Sequence, residues 1–136
     1  MLIIDAGPLY AAAATKDGNH RRSVDLLTRA KQPLLVPALV VTEVCYLLAD
    51  RVGTHAELAF VRSIASGELI VEPVLDAEWD RIAELTQQYL DLSLGVVDAS
   101  VIVLAERHRA EVIATFDHRH FAAIRPRHTQ AFRLVP

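Results

Sequence analysis

The sequence predicts an α/β fold, a largely parallel sheet with helices packed over it. Three observations carry that expectation. Short apolar runs alternate with segments of helical length, the order that parallel strands and their crossovers require. Two helical segments, residues 38–49 and 96–106, are apolar almost all round, as helices lying on a sheet are. No linker, repeat or low-complexity stretch divides the chain, so residues 1–136 are expected to form a single domain.

The first strand is "LIID", which Gly7-Pro8 breaks just past Asp5. "LYAAAA" resumes as a short helix, with Lys16, Asp17, Gly18 and Asn19 as the turn behind it. Residues 20–31 read as an amphipathic helix with Val24, Leu27 and Ala30 at turn spacing on its apolar side. "PLLVP" is the second strand, and Pro37 favours the start of a helix over residues 38–51. Thr54 is the expected cap of a helix over residues 54–66, which Gly67 ends. The third strand is "LIVEP". Asp76 is expected to cap "AEWDRIAELTQQYL", with Trp79, Ile82, Ala83 and Leu90 on its apolar side and its acids clustered early, where the helix end is positive. A helix over residues 96–109, the strand "VIATF" and a last strand "AFRLV" complete the order.

Composition narrows the function classes. Hydrophobic residues make up 52% of the 136 residues, which excludes a disordered chain and supplies a core without staples. The single Cys45 permits no internal disulfide and no cysteine metal cluster, and in "VTEVCYLL" it reads as a small buried hydrophobe. No apolar run is long enough to span a bilayer, and no leader pattern opens the chain. A soluble cytoplasmic protein without membrane attachment is therefore expected. The net charge is −3, but residues 95–136 hold six Arg against four acids, plus four His. That basic edge is either an ordinary charged surface or a place for phosphates.

Four acids stand in apolar settings: Asp5 in "LIIDAG", Glu43 in "LVVTEVCYLL", Asp98 in "GVVDASVIVLA" and Asp117 in "VIATFDHRH". Ionised carboxylates are expensive to surround with apolar side chains unless donors or cations meet them. Asp5 and Asp117 fall at the carboxyl ends of strands, where ligands of open α/β sheets gather. Glu43 shares a helix face with Leu39, Val40, Tyr46 and Leu47, and so points with a core-directed stripe. Asp98 precedes Val101 and Ile102 on the sheet-facing side of its helix. Each acid has a plain structural alternative: a turn former for Asp5, a buried ion-pair partner for Glu43, a helix cap for Asp98, an Asx cap for Asp117.

Taken together, four such acids need a cation, because crowded carboxylates repel. Oxygen ligands suit Mg²⁺ or Mn²⁺ far better than Zn²⁺, and the six histidines form no HExxH or other clustered ligand spacing. A carboxylate-held ion with open positions beside phosphate points to phosphodiester hydrolysis.

In "LIIDAGPLYA", "VPALVVTEVCYLL", "LGVVDASVIVLAE" and "VIATFDHRHF" the chain resembles the PIN-domain ribonucleases, most closely the VapC-like toxins of type II toxin–antitoxin pairs. The resemblance covers essentially the whole chain. It implies a three-layer α/β/α sandwich, Mg²⁺- or Mn²⁺-dependent cleavage of RNA to 5′-phosphate and 3′-hydroxyl ends, a homodimer, and inhibition by a cognate VapB-like antitoxin. On these residues it implies Asp5 and Asp98 as central metal ligands. Glu43 would bind the ion or orient its water, and Asp117 would complete the acidic pocket directly or through water. Many relatives carry Ser or Thr two residues after the first Asp; this chain has Gly7, whose backbone amide or a water would substitute. Thr115 is a supporting hydroxyl or a strand-end structural residue, while Ser100 turns away from Asp98 on its helix. His118 and Arg119 are RNA-phosphate contacts or simple surface residues.

Three other readings stand beside this one. A phosphoacceptor receiver domain would carry a supporting lysine late in the chain, and no lysine follows Lys31. A DNA-directed flap-like nuclease would share the hydrolytic core but needs extra elements to guide a DNA end. A noncatalytic RNA- or protein-binding module has no need of all four carboxylates.

Overall fold

The computed structural model describes every residue from Met1 to Pro136. Its five strands are β1 (Leu2–Ile4), β2 (Leu34–Pro37), β3 (Ile70–Glu72), β4 (Val112–Ala114) and β5 (Arg133–Val135). They form one sheet in the order β3-β2-β1-β4-β5, with every neighbouring pair parallel. Register is set by apolar pairs: Leu2 lies opposite Leu34, Ile3 opposite Ile113, Leu35 opposite Ile70 and Ile113 opposite Leu134. Parallel neighbours need long crossovers, and these are the helices that cover both faces. They are α1 (Ala6–Ala13), α2 (His20–Arg29), α3 (Ala38–Arg51), α4 (Thr54–Ala65), α5 (Trp79–Gln88), α6 (Val96–His108) and α7 (His118–Ala123). The result is the three-layer α/β/α sandwich, and no helix is long and apolar enough to cross a membrane.

The core is continuous from strands to helices. Ile3, Ile4, Val36 and Ile113 are fully buried on the sheet, and Val40, Val44, Leu48, Ile102, Leu104 and Phe121 meet them from the helices. Helix α6 is buried without a break from Ala99 to Ala105, as its all-apolar sequence requires. Cys45 is half-buried and packs against this core.

Several local expectations shift. Helix α1 begins at Ala6, so Gly7-Pro8 lies inside its first turn instead of separating strand from helix. Proline fits there because the first amides of a helix have no intrahelical partner to lose. Thr54 is the first residue of α4, with Gly53 at the cap position. Asp76 opens a short 3₁₀ turn, Asp76–Glu78, and the capping carboxylate is that of Glu78, whose Oε2 accepts the Leu75 amide at 2.9 Å. On α5 the buried residues are Ile82 and Leu85, while Trp79 and Ala83 face solvent, and Leu90 lies past the helix end in an exposed position of a 3₁₀ turn. On α2 Ser23 is fully buried and Leu26 and Leu27 pack on the core, leaving Val24 at the exposed edge.

This topology creates the crevice. The chain leaves β1 for β2 and β3 on one side, then returns past β1 to β4 and β5 on the other. The order reverses between β1 and β4, where a gap opens beyond the strand ends. Asp5 follows β1 directly, and Thr115 and Asp117 follow β4.

Candidate active site

Asp5 sits where β1 turns into α1. Its amide donates to the Ala114 carbonyl at 2.9 Å, carrying the β1–β4 ladder one residue past the strand. The residue is only 8% exposed. The fully buried Thr115, held by its own amide on the Val135 carbonyl at 2.9 Å, meets it from β4. The Thr115 hydroxyl donates to Asp5 Oδ2 at 2.8 Å and accepts the Asp117 amide at 2.9 Å. One hydroxyl therefore fixes both the carboxylate of one acid and the backbone of another. Replacing Thr115 with Val should cost about 1–3 kcal/mol, because it leaves a buried carboxylate and an amide each short of a partner. Urea unfolding of Thr115→Val beside Thr115→Ser, which keeps the hydroxyl, measures it.

The same strand end explains Gly7. A Cβ built at residue 7 would lie 3.0 Å from Cδ2 of Phe116. The aromatic ring occupies the space that a Ser or Thr at position 7 would take, and Thr115 supplies the hydroxyl from the neighbouring strand instead.

Asp98 lies in the first turn of α6, where its carboxylate accepts the Gly95 amide at 3.2 Å. It is therefore a helix cap and a lining acid at once. Glu43 is exposed, contrary to its expected place on a core-directed stripe. The buried line of α3 runs Val40–Val44–Leu48, one residue away, which turns Glu43 to the mouth of the crevice. Asp117 caps α7 by accepting the His120 amide at 3.1 Å, as an Asx cap would, and its carboxylate also meets His120 Nδ1. The other ring nitrogen of His120 meets the Leu92 carbonyl. Both ring nitrogens thus face acceptors, which an imidazolium satisfies, and the hydrogen bond to Asp117 raises the His120 pKa.

Asp5, Glu43, Asp98 and Asp117 all line one open groove of about 540 Å³. Gly7 and Phe116 form part of its wall, together with Tyr10 and Arg51. Asp5, Glu43 and Asp98 take part in none of the protein's ion pairs. The electrostatic result is what unpaired acids in a crevice should show. Burial pushes Asp5 up to about 6, against the pull of its bonds to Thr115 and the Ala6 amide, and the charges of Asp98 and Glu43 add to the rise. Burial also raises Glu43, with Asp98 contributing, and raises Asp98, with Asp117 contributing. Nowhere do three or more His, Cys, Asp or Glu side chains draw together into a metal-holding cluster. The acids stand around the groove as separate hard oxygen donors, a set whose chemistry matches Mg²⁺ or Mn²⁺.

His118 and Arg119 are exposed on the first turn of α7 and lie outside the groove lining. Ser100 donates back to the Val97 carbonyl at 2.6 Å, away from the site. Sequence reasoning missed His120, Tyr10, Arg51 and Phe116. Only His120 carried a signal, its position three residues after Asp117 at the start of a helix.

The PIN-domain family profile matches residues 2–125. The chain belongs to the PIN-domain family. Within it, the chain is 36% identical over 135 residues to the ribonuclease VapC26 of Mycobacterium tuberculosis, spanning 99% of this chain and 100% of that protein. This PIN domain therefore stands close to the VapC ribonucleases, toxins that generally act within toxin–antitoxin systems. Two crystal structures share its fold. VapC20 of M. tuberculosis, described as a sarcin–ricin loop cleaving toxin, superposes with a TM-score of 0.84 at 20% identity, covering 90% of this chain and 95% of that one. FitAcB of Neisseria gonorrhoeae superposes with a TM-score of 0.67 at 14% identity, covering 89% and 91%.

Proposed function

We propose that this chain is a single PIN domain, residues 1–136, acting as a Mg²⁺- or Mn²⁺-dependent endoribonuclease toxin restrained by a cognate VapB-like antitoxin. The observation that carries the reading is the groove at the β1–β4 reversal, which Asp5, Glu43, Asp98 and Asp117 all line. Asp5 and Asp98 would hold the ion, with Glu43 and Asp117 joining directly or through water. A bound divalent ion supplies charge neutralisation at the scissile phosphate and a more acidic water.

The chain's own residues do the rest. Thr115 fixes the direction of the Asp5 carboxylate, and the start of α6 fixes Asp98. Glu43, exposed at the groove mouth with its pKa raised, is placed to accept the proton of attacking water. His120 holds Asp117 in line from the far side. In-line attack by water releases a 5′-phosphate and a 3′-hydroxyl and does not use the RNA 2′-hydroxyl. His118 and Arg119, exposed on α7, are proposed outer contacts to RNA phosphates. The test is cleavage of RNA by the purified chain with Mg²⁺, with Mn²⁺ and with chelator; activity that persists under chelation contradicts the reading.

A homodimer is proposed through α3 and α4, whose outer faces carry Tyr46 at 69% exposure and the exposed Leu58 and Val61. Light scattering across a dilution series should give twice the 15.0 kDa chain mass; a monomer at every concentration would reject the dimer.

A further inference from the structure

The acid groove runs on into a second concavity of about 460 Å³, and Tyr10 and Arg51 line both. Beyond that shared wall the charge changes sign. Lys16, in the turn after α1, and His55, in the first turn of α4, line the second pocket alone. Gly53 makes this possible. Its φ of 134° sets the turn from α3 to α4 in a conformation open to glycine, and a Cβ there would lie 3.0 Å from His55 Nδ1.

None of Lys16, Arg51 and His55 takes part in an ion pair. Asp17 is the one carboxylate lining the pocket, and its Oδ1 is already engaged by the Asn19 amide at 2.8 Å. The Arg51 guanidinium lies over the Tyr10 ring, 5.7 Å from its centre. Stacking of that kind holds the planar fork in one orientation, which suits two-pronged contact with a phosphate. Lys16 and Arg51 thus bring two positive charges to the concavity against the single carboxylate of Asp17, and neither is held in an ion pair.

We propose that this basic pocket binds a backbone phosphate of the RNA strand next to the scissile bond. The proposal rests on the reading of the acid groove as an RNA-cleaving centre. A groove lined by four carboxylates repels a polyanion, and the cations of Lys16 and Arg51 on its continuing wall offset that repulsion where the strand must enter. Contacts of this class set the strand's register over the acids and carry no sequence preference of their own. Lys16 supplies a mobile point charge, Arg51 an oriented fork at the junction of the two pockets, and His55 a ring N–H donor.

The test uses the full chain in chelator, where no cleavage confuses binding, and a short fluorescent oligouridylate as probe. Lys16→Gln and Arg51→Gln should each weaken binding about fivefold and each flatten the slope of log affinity against log salt by about 0.7, the value for one phosphate contact on a single strand. His55→Gln should weaken binding less, and Arg133→Gln on β5 should leave it unchanged. With Mg²⁺ restored, Lys16→Gln should raise KM for RNA and spare kcat. Affinity and salt slope equal to wild type in Lys16→Gln and Arg51→Gln would overturn the proposal and leave the pocket to an acidic protein segment. If wild type cuts RNA and those variants bind unchanged, the subsite fails alone. If the slopes fall as stated but no RNA is cut with Mg²⁺, the nuclease reading fails and the phosphate subsite stands.

Discussion

Asp5→Asn and Asp98→Asn should each lower RNA cleavage by at least about 10²-fold while the fold survives. Both substitutions keep shape and remove charge. In Asp5→Asn the Thr115 hydroxyl still finds an oxygen to donate to, and in Asp98→Asn the Gly95 amide keeps its acceptor. What is lost is the negative field that gathers a cation and stabilises charge as it develops in the transition state, so the deficit should fall on kcat. Asp25→Asn, an exposed acid on α2 away from the groove, is the control and should cut like wild type. Circular dichroism and cleavage rates on the three variants read the effect, with calorimetric titration of Mn²⁺ showing weaker binding in the first two alone.

The metal-free protein should lose stability as pH rises from about 4 to above 6. Asp5 carries a folded pKa of about 6 against an ordinary value of 3.8. The folded state therefore binds more protons than the unfolded chain in that window, and stability falls as pH climbs through it. A difference of that size corresponds to about 3 kcal/mol for this buried carboxyl. The raised carboxyls of Asp98 and Glu43 act in the same direction. So does His120, whose pairing with Asp117 stabilises the fold below the ordinary histidine range and is lost as pH passes its raised folded value. Glu78 and Glu106, lowered by their bonds to Arg107 and Arg81, oppose the trend only at the acid end. Urea unfolding in chelator should thus show lower stability at pH 8 than at pH 5. Asp5→Asn should remove most of the difference and be the more stable protein at pH 8, and Mg²⁺ should restore wild type. Stability that climbs from pH 5 to 8 in chelator, equally in both proteins, would contradict the electrostatic picture of the groove.

The four acids were legible because a charge among apolar residues is locally inconsistent with burial, and that inconsistency needs no structure to see. All four line one groove. The direction of Glu43 was not legible. Helix α3 is apolar on several sides, so its sequence period does not fix which line faces the sheet; packing against β2 and β3 selects Val40–Val44–Leu48 and swings Glu43 outward. The departure at Gly7 was visible, but its cause was not, since the ring that fills the space belongs to Phe116, more than a hundred residues away in the chain. The same holds for the Thr115–Asp5 bond and for the meeting of Tyr10, Lys16, Arg51 and His55. Such contacts depend on strand order, and the 3-2-1-4-5 arrangement is a tertiary fact. The caps at Thr54 and Asp76 failed for a local reason: glycine and a nearby glutamate took the roles those residues offered.

The central claim, that the acid groove hydrolyses RNA, is tested most directly by the terminal chemistry of RNAs cut in cells. Wild type, Asp5→Asn and Asp98→Asn are induced separately, and new RNA ends are mapped with ligation chemistry that distinguishes 5′-phosphate from 5′-hydroxyl. Discrete cuts bearing 5′-phosphate and 3′-hydroxyl ends in wild type, absent from both folded variants, are the expected result. The same cuts in all three proteins, or cyclic-phosphate ends made by the 2′-hydroxyl, would contradict it.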